Sequence, residues 1–451
     1  MTEPDAGSDA NSGKTKAVLS EDGSHYKITG QKMWISNAGF ADLFIVFAKI
    51  EEDKNLTAFI VEKTFNGITM NEEEKKLGIK GSSTRQVFFN DCEVPVANML
   101  SERQNGFKIA VNILNIGRVK LGAGVLGGCR TVISQATQYA NERKQFNVSI
   151  SSFGAIKHKL AEMATRVYVT ESLDYRAGQN IEDKMNDLAA SGMDDAQAKL
   201  KGVEQFAIEC AIAKIHSSEV LDYVVDQGLQ VYGGMGYSAD APMERAYRDS
   251  RIARIYEGTN EINRMLMIGM ILKRAMKGEL NMFEPAMAVS KELISVPTFS
   301  TIDKSVLFNA EKEVLKNLKK VFLMVGGKAA MVLQDKIEDE QEIMMNLADI
   351  LIEVYAVESA MLRTEKLISM RGEEACTDYI AMTQIYMAQA VDRVNAAAKE
   401  AIASFTKGDE QKVMLMGLKR FTKMDLVNTK ELRRQVADTM IKEGKFPYFF
   451  G

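Results

Sequence analysis

Glu257 is the residue whose type and position point most directly to chemistry. It lies between Tyr256 and Gly258, just before apolar positions that recur with the spacing of a helix. A carboxylate at such a loop-to-helix junction, beside an aromatic side chain, is partly desolvated, which raises its pKa towards that of a useful general base. The alternative interpretation is a solvated carboxylate on a surface loop.

The helix predicted after this carboxylate carries its own start signals. Thr259 or Asn260 can cap the first free backbone amides, and Glu261 suits the positive end of the helix dipole. Polar groups of a bound ligand can share those amide donors. The junction is therefore a candidate ligand site as well as a candidate base.

The composition is that of an ordinary globular protein of two or three domains. The chain has 451 residues, 46% of them hydrophobic and 26% charged, and its net charge of -4 gives no reason to expect nucleic-acid binding. Three separated histidines and four scattered cysteines show no metal-ligand spacing, and we predict that Cys129 and Cys210 are small core residues. No secretory signal opens the chain, and we predict that no apolar run reaches the length of a membrane span.

Residues 1–97 have the pattern of a small antiparallel β domain. Short alternating runs are separated by turn signals, and the predicted strands cover 14–19, 26–28, 44–48, 57–61 and 86–89. Trp34, the one tryptophan of the chain, lies near the end of a strand. A tryptophan in a β domain is usually a core residue.

Residues 98–280 have the 3.6-residue period of helices, and four helices in series predict a bundle. The glycine-rich tract 122–128 lacks a preceding strand and a following Lys-Ser/Thr, which excludes a phosphate-binding P-loop. Residues 183–197 are polar and are predicted to form a surface connection.

The remainder is predicted to be a linker followed by more helices. Pro285 and Pro297 bracket the linker, residues 281–304, and residues 305–451 are helical by period, with long segments at 305–335, 338–371 and 375–405. Methionine-rich stripes in this region are best explained as core filling. The predicted fold class is α+β and mostly α, with a small antiparallel β domain, a four-helix bundle and an additional C-terminal helical domain.

Four separate stretches resemble the signature regions of the acyl-CoA dehydrogenases. They are Met-Thr-Glu-Pro-Asp-Ala-Gly-Ser at 1–8, Gln-Lys-Met-Trp-Ile-Ser-Asn at 31–37, Gln-Val-Tyr-Gly-Gly-Met-Gly-Tyr at 230–237 and Tyr-Glu-Gly-Thr at 256–259. The resemblance covers residues 1 to about 280, and the helices beyond are similar to the extra domain of the very-long-chain branch. Met1 stands at an internal position of the family pattern, so we expect the N-terminal helical domain of the family to be missing from this chain.

The resemblance implies FAD-dependent α,β-dehydrogenation of a long-chain acyl-CoA to a trans-2-enoyl-CoA, in fatty-acid β-oxidation. Glu257 would be the base for the α-proton, and the backbone amide of Glu257 and a flavin hydroxyl would stabilise charge on the thioester oxygen. Side chains cannot accept a hydride, so the chemistry needs a redox cofactor.

The resemblance also assigns binding residues. The expected FAD contacts are Met1, Thr2, Gly7, Ser8, Trp34, Ile35, Ser36, Arg143, Phe146, Gln230, Gly233, Gly234, Thr259, Asn260 and Glu261. The expected substrate contacts are Ser8, Asn115, Ile116, Gly117, Arg118, Tyr256 and Gly258. From the residues alone, Arg143 would be a surface ion pair, Gln230 a helix-end amide and Arg118 a buried or intrahelical ion pair. No metal is expected.

By resemblance, the partners are acyl-CoA, electron-transfer flavoprotein and a second copy of the chain in a homodimer. The short linker without basic residues argues against membrane association. A bacterial chain would be cytoplasmic, and a eukaryotic one would lie in the mitochondrial matrix. Two rival interpretations stay open, an acyl-CoA oxidase that reduces oxygen and a non-catalytic assembly or scaffold relative.

Overall fold

The computed structural model describes residues 1–295 and 303–448. They form two compact units, Met1–Gly117 and Arg118–Gly451, and the boundary between the units falls within a long helix. The predicted class, mostly helical with a sheet rich in antiparallel pairs, is confirmed.

The first unit is built on a seven-stranded sheet. Its strands are β1 (Lys16–Leu19), β2 (His25–Ser36), β3 (Leu43–Ile50), β4 (Thr57–Glu62), β5 (Ile68–Met70), β6 (Thr84–Pro95) and β7 (Met99–Leu100), in the order β5-β6-β2-β1-β3-β4-β7. Neighbouring strands are antiparallel, except that β1 and β3 run parallel. Alternate apolar side chains form one core, including Ile28, Val46, Phe59 and Phe89.

The second unit contains the bundle. Its helices are α1 (Gly106–Glu142), which begins in the first unit, α2 (Gly154–Ala190), α3 (Asp195–Gln205), α4 (Ala207–Tyr232), α5 (Pro242–Ser250) and α6 (Asn260–Met276). A two-residue hairpin of β8 (Lys144–Gln145) and β9 (Val148–Ser149) follows α1. Cys129 and Cys210 are buried in the helical region, as predicted.

The predicted surface connection at 183–197 was wrong. Helix α2 continues to Ala190, and Asp194 caps α3 by accepting from the amides of Ala196 and Gln197. The polar composition reflects the exposed side of α2 and the cap of α3. Only the turn between the two helices is non-helical in this stretch.

The predicted linker at 281–304 was wrong in its first half. Helix α7 (Phe283–Ile294) occupies it, with Pro285 in the first turn, where a proline removes no hydrogen bond of the helix. Pro297 lies outside the described residues.

The C-terminal helices share a continuous core with the bundle. They are α8 (Asn309–Leu333), α9 (Gln341–Arg371), α10 (Thr377–Phe405), α11 (Gly408–Phe421) and α12 (Thr429–Glu443). Met344 and Met361 are buried in that core, as predicted for the methionine-rich stripes. Buried polar contacts also join α9 to α2. Arg363 pairs with Glu171 at 2.7 Å, and the hydroxyls of Tyr168 and Thr364 are 2.7 Å apart.

Helix α1 corrects the prediction about apolar runs. Among the described helices it alone is long and apolar enough to cross a membrane by length and composition, with a mean hydropathy of 1.4 over 18 residues. A core helix passes the same test.

Candidate functional site

Glu257 stands in a strained turn immediately before helix α6. Its φ of 59° and the φ of 81° at Gly258 place two successive residues in the left-handed region. A residue with a Cβ pays about 1 kcal/mol or more for this conformation, so the surroundings must hold it in place.

Three side chains hold the turn through its carbonyl oxygens. Arg118 Nε donates to the Glu257 oxygen at 3.1 Å, and Lys214 Nζ donates to the Gly258 oxygen at 2.8 Å. Asn263 Nδ2 lies 3.3, 2.8 and 3.0 Å from the carbonyl oxygens of residues 257, 258 and 259. Arg118, Lys214 and Asn263 are all buried, so these donors are fixed in position. We call these three side chains the floor of the turn.

The electrostatics of Glu257 are a balance between burial and two cations. Burial raises the pKa of its carboxyl group, and the positive charges of Arg118 and Lys214 lower it. A raised pKa makes the carboxylate a stronger base, while the two cations favour its ionised form. This is the environment predicted from the sequence.

The start of helix α6 also matches its prediction. The Thr259 hydroxyl accepts from the amide of Ile262 at 3.2 Å, so Thr259 is the cap. A hydrogen bond from its own backbone amide lowers the pKa of Glu261, which suits the positive end of the helix. Asn260, the other predicted cap, does not cap the helix; its buried side chain accepts a hydrogen bond from Lys214 at 2.6 Å.

The residues expected to contact substrate lie in two settings. Asn115 and Arg118 are buried on helix α1, and Ile116 and Gly117 are half-buried. Tyr256, next to Glu257, is 44% exposed, and Gly258 is half-buried. The contact of Arg118 with the Glu257 carbonyl was not expected from the sequence, and the role of residues 115–118 towards CoA stays a prediction.

The first unit presents the predicted flavin residues along one strand and one loop. Trp34 is 54% exposed at an irregularity of β2 and has a φ of 60°, so it is not the core residue that its type alone favours. The N-terminal loop lies against the same strand, because the amide of Met33 donates to the Thr2 oxygen at 3.0 Å. The remaining predicted residues here are half-buried or exposed: Met1, Gly7, Ser8, Ile35 and Ser36.

A buried ion pair fixes this loop to the strand. Lys32 Nζ lies 2.5 Å from Glu3 Oε1 and donates to the Phe47 oxygen at 2.7 Å. Glu3 also accepts from the backbone amides of Lys14 and Thr15. Burial alone would raise the pKa of Glu3, but the hydrogen bond and charge of Lys32 outweigh burial and lower it. The pair therefore anchors the segment that carries Thr2, Gly7 and Ser8.

A second group of predicted cofactor residues lies at the far end of the bundle. Phe146, 88% exposed, and Asn147 form the turn of the β8–β9 hairpin, both with positive φ, and asparagine suits such a turn almost as well as glycine. Arg143, Gln230, Gly233 and Gly234 are also exposed.

Packing brings these residues to the same end of the bundle. The rings of Tyr139 and Tyr232 stack at 4.1 Å, which joins the last turns of α1 and α4. Eighteen helical residues separate Tyr232 from Lys214, about 27 Å along the axis of α4. The Arg143 group thus lies near the C-terminal end of α4, and the Glu257 turn lies against the first third of that helix.

Sequence reasoning missed the supporting residues. They are Glu3, Lys32, Lys214, Asn263 and the Arg264 ion pairs. One signal was present, since Lys214 is a charged residue inside the apolar run of α4, where lysine is rare unless paired. Its partners are contributed by the turn more than forty positions later, which no local pattern reveals.

Comparisons with known proteins agree along the whole chain. The family model described as acyl-CoA dehydrogenase, middle domain, matches residues 1–92, and two described as acyl-CoA dehydrogenase, C-terminal domain, match residues 104–272 and 317–420. A probable acyl-CoA dehydrogenase of Bacillus subtilis is 44% identical over 446 residues, covering 99% of this chain and 75% of the relative.

Two further similarities differ in extent. The crystal structure of an acyl-CoA dehydrogenase complexed with FAD from Bacillus anthracis superposes with a TM-score of 0.95 at 42% identity, covering 99% of this chain and 76% of that one. The human mitochondrial very long-chain specific acyl-CoA dehydrogenase is 42% identical over 275 residues, which is 59% of this chain but 39% of that relative.

Proposed function

The chain belongs to the acyl-CoA dehydrogenase family of FAD-dependent oxidoreductases acting on CH–CH bonds, and from that premise we propose the roles of its residues. It dehydrogenates a long-chain acyl-CoA to the trans-2-enoyl-CoA, with Glu257 as the base that removes the α-proton. The observation that carries the proposal is the Glu257 turn, which is half-buried, strained and fixed from below by three side chains.

Proton removal needs a base that is held still and partly dry. The carbonyl oxygens of the turn are bound to buried donors, so the backbone of Glu257 cannot relax while its carboxylate takes the proton. Its own backbone N–H is the donor proposed for the thioester oxygen, where negative charge develops as the proton leaves. The net positive charge below the turn favours that charge.

The residues present fit FAD. Trp34 offers an open aromatic face on β2, and Gly233 and Gly234 have open space where a side chain would begin. Arg143 offers an exposed guanidinium, whose planar fork suits a diphosphate. When bound, FAD supplies the acceptor for the β-hydride. Since Arg143 lies at the far end of α4 from Glu257, we assign it to the FAD of a second subunit in a homodimer.

The electron acceptor is proposed to be electron-transfer flavoprotein, and the pathway fatty-acid β-oxidation. The extent of the similarity to the Bacillus relatives favours a bacterial cytoplasm over a mitochondrial matrix.

The test is anaerobic reduction of the purified, FAD-loaded chain by palmitoyl-CoA. We expect the visible flavin band to bleach with the wild type and with Glu279→Gln, which removes an exposed carboxylate at the end of α6. Glu257→Gln should bind FAD but keep its colour. Rapid recolouring in oxygen would favour an oxidase, and an FAD-bound wild type that does not bleach would favour the scaffold.

A further inference from the structure

The buried lysine among the donors to the Glu257 turn is also linked, through polar side chains, to the C-terminal helices. We propose that Lys214 is a positioning residue that fixes the turn, and that Asp349 of the C-terminal helices supports it through a chain of polar side chains. This inference rests on the proposed function, because it takes Glu257 as the base.

Lys214 is fully buried on helix α4, yet its described hydrogen-bond partners are neutral. Its Nζ donates to the Gly258 carbonyl at 2.8 Å and to Asn260 Oδ1 at 2.6 Å. Burying an ammonium group costs several kcal/mol unless strong partners compensate. Because Lys214 donates to a backbone carbonyl in spite of this cost, we infer that it fixes the position of the backbone at Gly258.

A chain of contacts continues from these partners to the C-terminal helices. Asn260 Nδ2 donates to Glu219 Oε1 at 3.1 Å, and Arg264 binds both oxygens of Glu219 at 2.8 and 3.1 Å. On its other side, Arg264 Nε donates to Asp349 Oδ1 of helix α9 at 2.7 Å. Arg264 is therefore shared between the bundle and the C-terminal helices.

This series of side-chain contacts holds the strained backbone next to Glu257. Asn260 and Arg264 lie one turn apart on α6, so their contacts fix the first turn of the helix that begins just after Glu257. Lys214 then holds the carbonyl of Gly258, the residue before the cap of that helix, where φ is 81°. With the helix start and the carbonyl both fixed, the left-handed turn has little freedom to rotate the Glu257 carboxylate away from its position.

Charge gives Lys214 a second effect on Glu257. The charged groups that face the lysine are Arg118 from α1, Glu219 from α4, and Glu257 and Glu261 from the turn and α6. Burial and the repulsion of Arg118 lower the pKa of Lys214 to about 8, so it is mostly an ammonium at neutral pH. Its charge lowers the pKa of Glu257, and its removal should raise that pKa.

The experiment separates proton removal from oxidation. 3-Thiapalmitoyl-CoA has α-hydrogens but a sulfur in place of the β-carbon, so it can exchange α-hydrogens without losing a hydride. Exchange in D₂O is followed by mass spectrometry from pH 5 to pH 9 on the FAD-loaded chain. The variants are Lys214→Met, Lys214→Arg, Asp349→Asn and Glu257→Gln, each checked for its unfolding temperature.

The matched control is Glu358→Gln. Glu358 also lies on α9 and also binds a bundle helix, through Arg176 of α2 at 3.0 Å, and it pairs with Lys319 of α8. Among the described residues, neither partner contacts the Glu257 turn. A loss caused by weaker packing of the C-terminal helices should be the same in both α9 variants. A loss transmitted along the chain should be confined to Asp349→Asn.

We expect the plateau exchange rate of Lys214→Met to fall about 10- to 100-fold, as for a misplaced catalytic group. Its acid limb should move to higher pH, while Lys214→Arg, which keeps the charge, should keep the limb where it is. Asp349→Asn should lose about threefold to tenfold, because Arg264 retains Glu219. Glu358→Gln should stay within about twofold of the wild type.

A folded Lys214→Met with the wild-type plateau and acid limb would overturn the positioning role. Equal losses in Asp349→Asn and Glu358→Gln would overturn the contribution of the C-terminal helices. If Lys214→Met does not fold, the test falls to Asp349→Asn. Exchange at the wild-type rate in that variant would contradict the proposed series of contacts from Asp349 to Lys214. Exchange that survives in Glu257→Gln would overturn the proposed base, and with it the inference, whereas loss in Glu257→Gln alone would overturn the inference and leave the base standing.

Discussion

Substitution of Gly258 by alanine tests whether the shape of the turn is enforced by its floor. The φ of 81° is unfavourable for an L-residue, at a cost of about 1–2 kcal/mol. The added Cβ would lie 3.0 Å from Asn263 Nδ2 and 3.5 Å from a terminal nitrogen of Arg118. Asn263 would have to move, and its hydrogen bonds to the turn would weaken.

The loss of stability expected for Gly258→Ala is the cost of the positive φ plus that of one lost hydrogen bond. Losing one of the hydrogen bonds made by Asn263 costs about 1 kcal/mol, so Gly258→Ala should lower the free energy of unfolding by about 2–3 kcal/mol in total. Gly269→Ala is the matched control, since it makes the same chemical change in the same segment. Gly269 lies inside α6 with open space around the added methyl group, so this variant should gain about 0.5–1 kcal/mol.

Guanidinium unfolding followed by far-UV circular dichroism measures both free energies. The two substitutions should change stability in opposite directions, and Gly258→Ala should also slow α-hydrogen exchange. If both variants were equally stable and Gly258→Ala exchanged at the wild-type rate, the turn would not be constrained as described.

Three further predictions concern other parts of the chain. Lys32→Met should destabilise the first unit by about 3 kcal/mol, measured by chemical denaturation, because it leaves the buried Glu3 carboxylate without its cation; no loss would contradict the anchor. Burial lowers the pKa of His216 to about 4, so the unfolded chain binds its proton more tightly. Stability should therefore fall by up to about 3 kcal/mol from pH 6.5 to pH 4, and His216→Asn should flatten that fall in thermal unfolding scans. Asn147→Val should cost about 1 kcal/mol in the hairpin, where φ is 65°, and Asn147→Gly should be nearly neutral by the same measurement.

The fold was predictable where the local pattern decides it. Alternation located strands β1 to β4 and β6, but the predicted segments 26–28 and 86–89 cover only parts of β2 and β6. Of the two predicted caps, Thr259 and Asn260, the cap is Thr259, because capping depends on adjacent residues. The linker prediction failed because proline was read as a helix breaker. Pro285 lies in the first turn of α7, where its missing N–H costs nothing.

The partial burial of Glu257 could be predicted from its neighbours in the sequence, whereas the side chains that hold its turn could not. Glu257 was identified from its neighbours, and its raised pKa follows from the same partial burial. Lys214 and Asp349 gain their contacts only when α4, α6 and α9 pack together, since those contacts span 44 and 85 positions. Trp34 is different, because its residue type favours the core, yet it is exposed at a local irregularity of β2.

The measurement that tests the assignment of the base most directly is α-hydrogen exchange of 3-thiapalmitoyl-CoA by the wild type and by Glu257→Gln. The substitution keeps the size of the side chain and removes the proton acceptor. We predict exchange by the wild type that rises with pH through the titration of Glu257, and a fall of about 1,000-fold or more in the variant. Exchange at the wild-type rate in a folded, FAD-bound Glu257→Gln would contradict the assignment of the base.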